Sequence, residues 1–185
     1  FLINAVYFKG DWTTQFKKED TFQGSFRLAD GTTVTVPTMS GTLDPVGLSG
    51  YPPQRQVMAL PYGGQAFEMV IVLPAQEESV DELATSLDDA TWVQLMDGLH
   101  YGEVMVQMPK YELEWGGLLN DPLTALGMGI AFNVGGAADF SRMTGTPSLF
   151  ISRVRQKVYM KVDEEGTTAA AATSVVMTES APMPF

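Results

Sequence analysis

Few side chains in this 185-residue chain could do covalent chemistry. It has no cysteine, and His100 is its single histidine, so it offers no thiol nucleophile and at most one imidazole as a base. No G-x-S-x-G elbow, phosphate-cradling glycine motif or metal-ligand spacing occurs. The acidic pairs Glu77-Glu78, Asp88-Asp89 and Glu164-Glu165 are neighbours in sequence, and neighbours in a strand or extended loop point apart. Such pairs cannot converge on one bond as acid and base. His100 follows an amphipathic run and reads as a surface or capping residue. No catalytic residue, metal ligand or cofactor is assigned. What remains is mechanical, and it centres on Thr167–Thr178, an uncharged run of small residues that follows Asp163-Glu164-Glu165-Gly166. The run lacks Gly and Pro, so a strand is allowed, while the consecutive alanines 169–172 equally allow a helix. The flanking Thr167, Thr168, Thr173, Ser174, Val175 and Val176 lean towards strand. The segment is free to change conformation, and Ala181-Pro182-Met183-Pro184 beyond it must be extended or turned. A flexible, alanine-rich tail is the plain alternative.

The elements that would position this segment are mostly strands. Phe1–Phe8 is apolar on both faces except for Asn4, which predicts a strand in the middle of a sheet and a buried amide needing partners. Gly10 gives room for a turn, and Trp12 is a large buried anchor. Thr21–Met39 predicts a hairpin about Ala29-Asp30-Gly31, and Ser40–Gln56, rich in Gly and Pro, predicts a loop with short strand pieces. Gln56–Pro61 and Glu68–Pro74 form a second hairpin around Tyr62-Gly63-Gly64, with Met69–Leu73 a buried core strand. Ser79 and Asp88 open two helices. Alternation over Glu103–Trp115 is interrupted by Pro109, predicting a kink or a change of sheet. Asn120-Asp121-Pro122 starts a further helix with Asp121 as cap. Gly135–Gly145 reads as loop. From Phe150 a long half-buried strand puts Val154, Gln156, Val158, Met160 and Val162 on one face.

Two motifs resemble those of the serpins. Glu164-Glu165-Gly166-Thr167-Thr168-Ala169-Ala170-Ala171-Ala172 is similar to their reactive-loop hinge. Asn4-Ala5-Val6-Tyr7-Phe8-Lys9-Gly10-Asp11-Trp12, with Phe16 beyond, is similar to their strand signature. The motifs stand in the right order and separation, and the segments between them also resemble the family, so the likeness covers essentially the whole chain. It implies an α+β fold: a large, mainly antiparallel β-sheet with smaller sheets, surface helices and a mobile reactive-centre loop. Residues 1–185 would be part of a single serpin domain, with 163–185 as hinge and reactive-centre loop. A serpin is roughly twice as long, so the resemblance implies that an N-terminal half precedes Phe1 and a short C-terminal piece follows Phe185.

The implied function is that of a protease inhibitor rather than an enzyme. A serine protease, chymotrypsin- or elastase-like, cleaves the loop and becomes an acyl-enzyme. Insertion of Thr167–Met177 into the main sheet then traps it, consuming the inhibitor. Glu164, Glu165 and Gly166 would form the hinge, Thr167 would lead insertion, and Thr168 with Ala169–Ala172 would let it continue. Thr167, Ala169, Ala171, Thr173, Val175 and Met177 would face the core, none of them carrying a charge into it. About a dozen residues gaining ladder bonds gives on the order of 10 kcal/mol before ordering costs. Such a strand carries its far end roughly 40 Å. Asn4, Trp12, Lys110 and Gln156 map onto the region where the sheet opens. A Glu164–Lys110 salt bridge is implied there, worth little as a plain surface pair. Gln156 stands where the family usually has histidine, so a pH-sensing role is not carried over, although Gln can still bridge buried groups. Counting from Gly166 places the reactive bond at Ser180–Ala181, with cleavage after Phe185 as the rival. In a cut chain the loop would already lie between the Phe1–Phe8 and Phe150–Glu164 strands.

The expected partners are the target protease and the chain's own missing N-terminal and C-terminal segments, in a monomer. The net charge of −11 argues against nucleic acid, no stretch is apolar and long enough to span a membrane, and no cofactor is implied. The resemblance favours an extracellular location, and the acidic, cysteine-free composition points to a bacterial member. Two alternatives stay open: a non-inhibitory serpin acting as carrier or chaperone, and a β-rich binding module with a flexible tail.

Overall fold

The computed structural model describes residues 2–133, 138–145 and 149–179, without the side chains of residues 2–5, 144, 178 and 179. Its strands are β1 (Leu2–Asp11), β2 (Phe22–Arg27), β3 (Thr33–Ser49), β4 (Gln56–Tyr62), β5 (Phe67–Leu73), β6 (His100–Pro109), β7 (Tyr111–Leu118), β8 (Leu149–Val162) and β9 (Gly166–Glu179). Its α-helices are α1 (Val80–Ser86), α2 (Asp89–Asp97), α3 (Asn120–Leu123) and α4 (Ser141–Thr144). The chain divides into two compact units. One comprises Lys9–Tyr111 and Val162–Thr167; the other comprises Phe1–Phe8, Glu112–Lys161 and Thr168–Phe185.

The first unit is built on a five-stranded sheet of order β2-β3-β4-β5, with β6 also paired to β3. The predicted first hairpin is present. Asp30 Oδ1 accepts from the Thr32 amide at 2.8 Å and its hydroxyl at 2.6 Å, and Gly31 takes the left-handed conformation (φ 83°) that the turn requires. The loop expected over Ser40–Gln56 is a correction, because β3 runs unbroken to Ser49. It pairs with β2 as far as Phe22↔Thr38, then with β6 from Thr38↔Pro109 to Leu48↔His100. Asp44-Pro45 falls in a register shift between Leu43 and Val46, so a bulge absorbs the proline that cannot donate to the ladder. Met39, Leu43, Val46, Val57, Ala59, Leu60, Val106 and Met108 make the core. Among the described residues β5 is bonded to β4 alone, and Met69–Val72 are half-buried rather than fully buried as their composition predicts. A strand with one neighbour need not be covered on both faces. The two helices open as expected, α1 with a Ser79–Glu82 capping box and α2 with Asp88 accepting from the Thr91 amide.

The second unit carries a four-stranded sheet of order β1-β9-β8-β7. β6 ends at Pro109 and β7 belongs to this other sheet, so the proline marks a change of sheet. Among the described residues β1 has β9 as its one strand neighbour, and Val6 is 58% and Tyr7 67% exposed. β8 alternates as predicted, Val154 and Val162 buried and Arg155, Lys157 and Lys161 exposed. The cap of α3 is Leu119, not Asp121. Asn120 has the structural role there, its amide donating to Ser152 O at 3.0 Å and accepting from Val154 N at 2.9 Å. Among the described residues, no helix is long and apolar enough to cross a membrane.

Candidate functional site

Three residues, Asp163-Glu164-Glu165, connect β8 to β9, and a connection that short makes the two strands an antiparallel hairpin. Its turn is closed from within. Asp163 N donates to Gly166 O at 3.0 Å, and Glu165 N donates to Asp163 Oδ1 at 3.0 Å. The segment after β1 holds it from outside through backbone bonds, Trp12 N to Glu165 O at 2.9 Å and Phe16 N to Glu164 O at 3.1 Å. The Trp12 indole N–H adds a bond to Asp163 O at 2.9 Å, and Gln15 Nε2 reaches Glu165 O at 3.2 Å. All three connecting carbonyls are therefore occupied by groups between Trp12 and Phe16.

The two adjacent carboxylates point apart. Glu165 is exposed and meets Lys18 Nζ at 2.6 Å, with both side chains more than half in solvent, where such a pair contributes little. Glu164 turns inward, its side chain 4% exposed. Lys110 Nζ lies 2.8 Å from its Oε2 and 3.0 Å from its Oε1, and the Thr21 hydroxyl donates to Oε1 at 2.7 Å. The Glu164–Lys110 pair is thus not the plain surface pair expected, because one partner is buried. Burial pushes the Glu164 carboxyl up, but the bonds from Lys110 and Thr21 outweigh it and leave the group below the ordinary carboxylate value.

Gly166 opens β9 where two backbones pass too closely for a side chain. A Cβ there would lie 2.7 Å from Asp11 Cα and run into the carbonyl oxygen of Gly10. Thr167 follows, fully buried, and accepts at 2.7 Å from the Tyr62 hydroxyl. The Tyr62 ring stacks on Trp12, centroids 4.7 Å apart and planes 12° from parallel. Burial pushes the Tyr62 phenol up, partly offset by its bond to Thr167. Two of these residues, Thr21 and Tyr62, escape sequence analysis. Thr21 reads as the start of a hairpin strand and Tyr62 as a turn residue, and no periodicity links positions over a hundred residues apart.

Beyond this connection, β9 lies between β1 and β8 in the four-stranded sheet. The expected alternation of burial along it does not appear. Thr168–Ala171 and Thr173–Met177 are half-buried throughout and Ala172 is exposed. With side chains this small, neither face of the strand is set apart by bulk. Ser152 Oγ of β8 donates to Val176 O at 2.8 Å. Gln156 is half-buried on β8. Asn4 lies in β1, its side chain outside the described residues, as are Ser180, Ala181 and Phe185. Among the described residues there is no cluster of three or more His, Asp or Glu side chains able to hold a metal ion.

The cluster contains no nucleophile and no acid–base pair; what it fixes is the point at which β9 enters a sheet. The family profile described as serpin (serine protease inhibitor) matches residues 1–185. The chain is 38% identical over 175 residues to Iripin-3 of Ixodes ricinus, covering 95% of this chain and 44% of that protein. It is 36% identical over 197 residues to leukocyte elastase inhibitor of Homo sapiens, covering 99% of this chain and 50% of that one. A solved structure of cleaved Serpin 42Da superposes with a TM-score of 0.86 at 32% identity, covering 99% of this chain and 49% of that chain. The chain spans about half the length of the curated relatives it matches. With an α+β fold of mainly antiparallel sheets and a match over every residue, the chain belongs to the serpin family.

Proposed function

We propose that the chain carries the hinge and trapping strand of a suicide inhibitor of serine proteases, the remainder of one serpin domain being supplied by segments before and after it. The observation that supports this is the position of β9: Gly166–Glu179 is a strand flanked by β1 on one side and β8 on the other. That is where a cleaved loop has to go if insertion is the motor. An inserted strand of this composition carries no charged side chain between Thr167 and Met177, so none of the several kcal/mol cost of burying an unpaired charge opposes it.

In the proposed cycle the protease serine Oγ attacks the Ser180 carbonyl carbon. The bond to the Ala181 nitrogen breaks, and the new amine leaves with a proton from the protease's own acid. Ser180 is left as an ester on the protease. Thr167–Met177 then enters the sheet, moving the ester-linked protease roughly 40 Å at about 3.3 Å per residue. Water has no time to hydrolyse the ester before the protease's active site is distorted. Glu164, Glu165 and Gly166 act as the fixed pivot, Thr167 leads, and Thr168–Ala172 follow without steric demand. Asn4, Trp12, Lys110 and Gln156 belong to the region that parts. A small residue at Ser180 suits an elastase-like target, in keeping with the relative named leukocyte elastase inhibitor.

Incubating the full-length protein with elastase-like and chymotrypsin-like proteases tests this. A covalent complex that survives denaturation is expected, with the ester mapped to Ser180 by mass spectrometry; an ester on Phe185 would move the reactive bond. Cleavage with a large rise in melting temperature but no complex would indicate insertion without trapping. Cleavage with neither would remove the inhibitor reading.

A further inference from the structure

We propose that Tyr62 is a receiving group that selects a hydroxyl at Thr167, so that the first side chain of β9 is chosen by hydrogen bonding as well as by size. This rests on the insertion reading above. The Tyr62–Thr167 bond, at 2.7 Å, joins two buried side chains from β4 and β9. Thr167 is 3% exposed, so its hydroxyl forgoes water and must be satisfied by protein. The phenol that meets it is held from behind, because the Tyr62 ring stacks on Trp12 and the Trp12 indole N–H is tied to Asp163 O at 2.9 Å. Tyr62 also bridges to Trp12 through the backbone, and Thr13 N donates to Pro61 O at 3.0 Å. The acceptor of that indole bond lies in the connection that delivers Thr167. Trp12 therefore positions the Tyr62 phenol and the entering strand against one another, and acts as a positioning residue.

Size alone does not explain the choice. Valine has the shape of threonine and a higher affinity for a buried strand, but it would leave the Tyr62 hydroxyl without this partner. Serine keeps the hydroxyl and loses only a methyl group. The selection is thus for a β-hydroxyl, and it acts on the first step of strand entry, before the alanines engage.

The test compares Thr167→Val, Thr167→Ser, Tyr62→Phe and the Tyr62→Phe/Thr167→Val double variant of the full-length protein. Two quantities are read: molecules of inhibitor consumed per protease trapped, and the rise in melting temperature on loop cleavage. Thr167→Val and Tyr62→Phe should each raise inhibitor consumption several-fold, up to about tenfold for one buried hydrogen bond. The double variant should be no worse than either single change, and Thr167→Ser should trap as the parent does. Should Tyr62→Phe fold poorly, Thr167→Val against Thr167→Ser carries the comparison, since a merely space-filling role would favour valine. Equal trapping by the valine and serine variants overturns the selection, as does strict additivity in the double variant. If cleavage of the parent brings no rise in melting temperature, insertion itself is refuted and the selection falls with it, an outcome visible before any variant is made.

Discussion

Replacing Lys110 by methionine puts the buried carboxylate of Glu164 to the test. Methionine keeps most of the stem and removes only the charge. At 2.8 Å the attraction lost is on the order of 6 kcal/mol at an effective dielectric of 20. Part of it is recovered, because the Lys110 side chain is 35% exposed and water can enter its place. Thr21 still donates to Oε1. We expect a net loss of about 3 kcal/mol, at the low end for breaking a buried pair from one side. Urea unfolding across pH checks both magnitude and sign. In the parent the Glu164 carboxyl is held below its ordinary value of 4.5. Its contribution is then fully present above that value and is lost as pH falls through the lower folded value. Without Lys110, burial dominates and the carboxyl moves upward, so the variant's deficit should shrink on acidification, when the group becomes neutral. Adding Glu164→Gln to Lys110→Met should recover much of the loss, because no buried charge is left uncompensated. A deficit below about 0.5 kcal/mol, the same at pH 4 and pH 7, would refute the claim that this is a buried pair rather than a surface one.

Gly166→Ala should block entry of β9, since its Cβ would meet the Gly10 carbonyl and Asp11 Cα; trapping should fall at least tenfold while loop cleavage continues, read by gel as the ratio of complex to cleaved product. Ala170→Glu places a charge in a half-buried stretch of β9, at a cost of several kcal/mol, and should reduce the rise in melting temperature on cleavage. Trp12→Phe loses the 2.9 Å indole bond to Asp163 and part of the Tyr62 stack; a loss of about 1–3 kcal/mol in urea unfolding is expected. The Tyr101 phenol donates to Glu68 at 2.7 Å and is pushed up to about 12. That small stabilising contribution is present below the ordinary phenol value of 10.0 and lost as pH rises through 12. Ultraviolet titration of the parent against Tyr101→Phe should show the high-pH phenol, and Glu68→Gln should return it towards 10.0.

What could be read from the sequence was whatever repeats along a strand or turns on one residue's conformational needs. The alternation of Val154 to Val162, the Asp30-Gly31 turn, the caps Ser79 and Asp88 and the change of sheet at Pro109 are all local. Two kinds of feature were not. β3 passes through a Gly- and Pro-containing stretch because a bulge accommodates Pro45, and the partner strand that makes this possible lies some sixty residues away. β5 is less buried than its apolar composition predicts. Composition reports what a strand tolerates on its faces, whereas exposure depends on how many neighbours it has, and among the described residues β5 pairs with β4 alone.

The Glu164–Thr167 cluster divides along the same line. Gly166, Glu164 and the alanines were marked by their resemblance to the serpin hinge, since composition alone allows a flexible tail, and the groups that meet them are scattered. Glu164 is met by Thr21 and Lys110, and Thr167 by Tyr62. Each contact spans fifty residues or more, which gives the cluster a useful property. A lone hairpin of β8 and β9 could open and close by itself. Here the connection is fastened to the Trp12–Phe16 segment by backbone bonds to Glu164 and Glu165 and by the Trp12 indole. The carboxylate is fastened to two further segments. With the connection held from Trp12, Gln15, Phe16, Lys18, Thr21 and Lys110, the proposed insertion should begin at Thr167 and proceed outward, because the residues before it are already tied. If instead the pivot were loose, Lys110→Met and Trp12→Phe would lower stability without changing the ratio of trapping to cleavage, and measuring that ratio in both variants separates a fixed pivot from a merely well-packed turn.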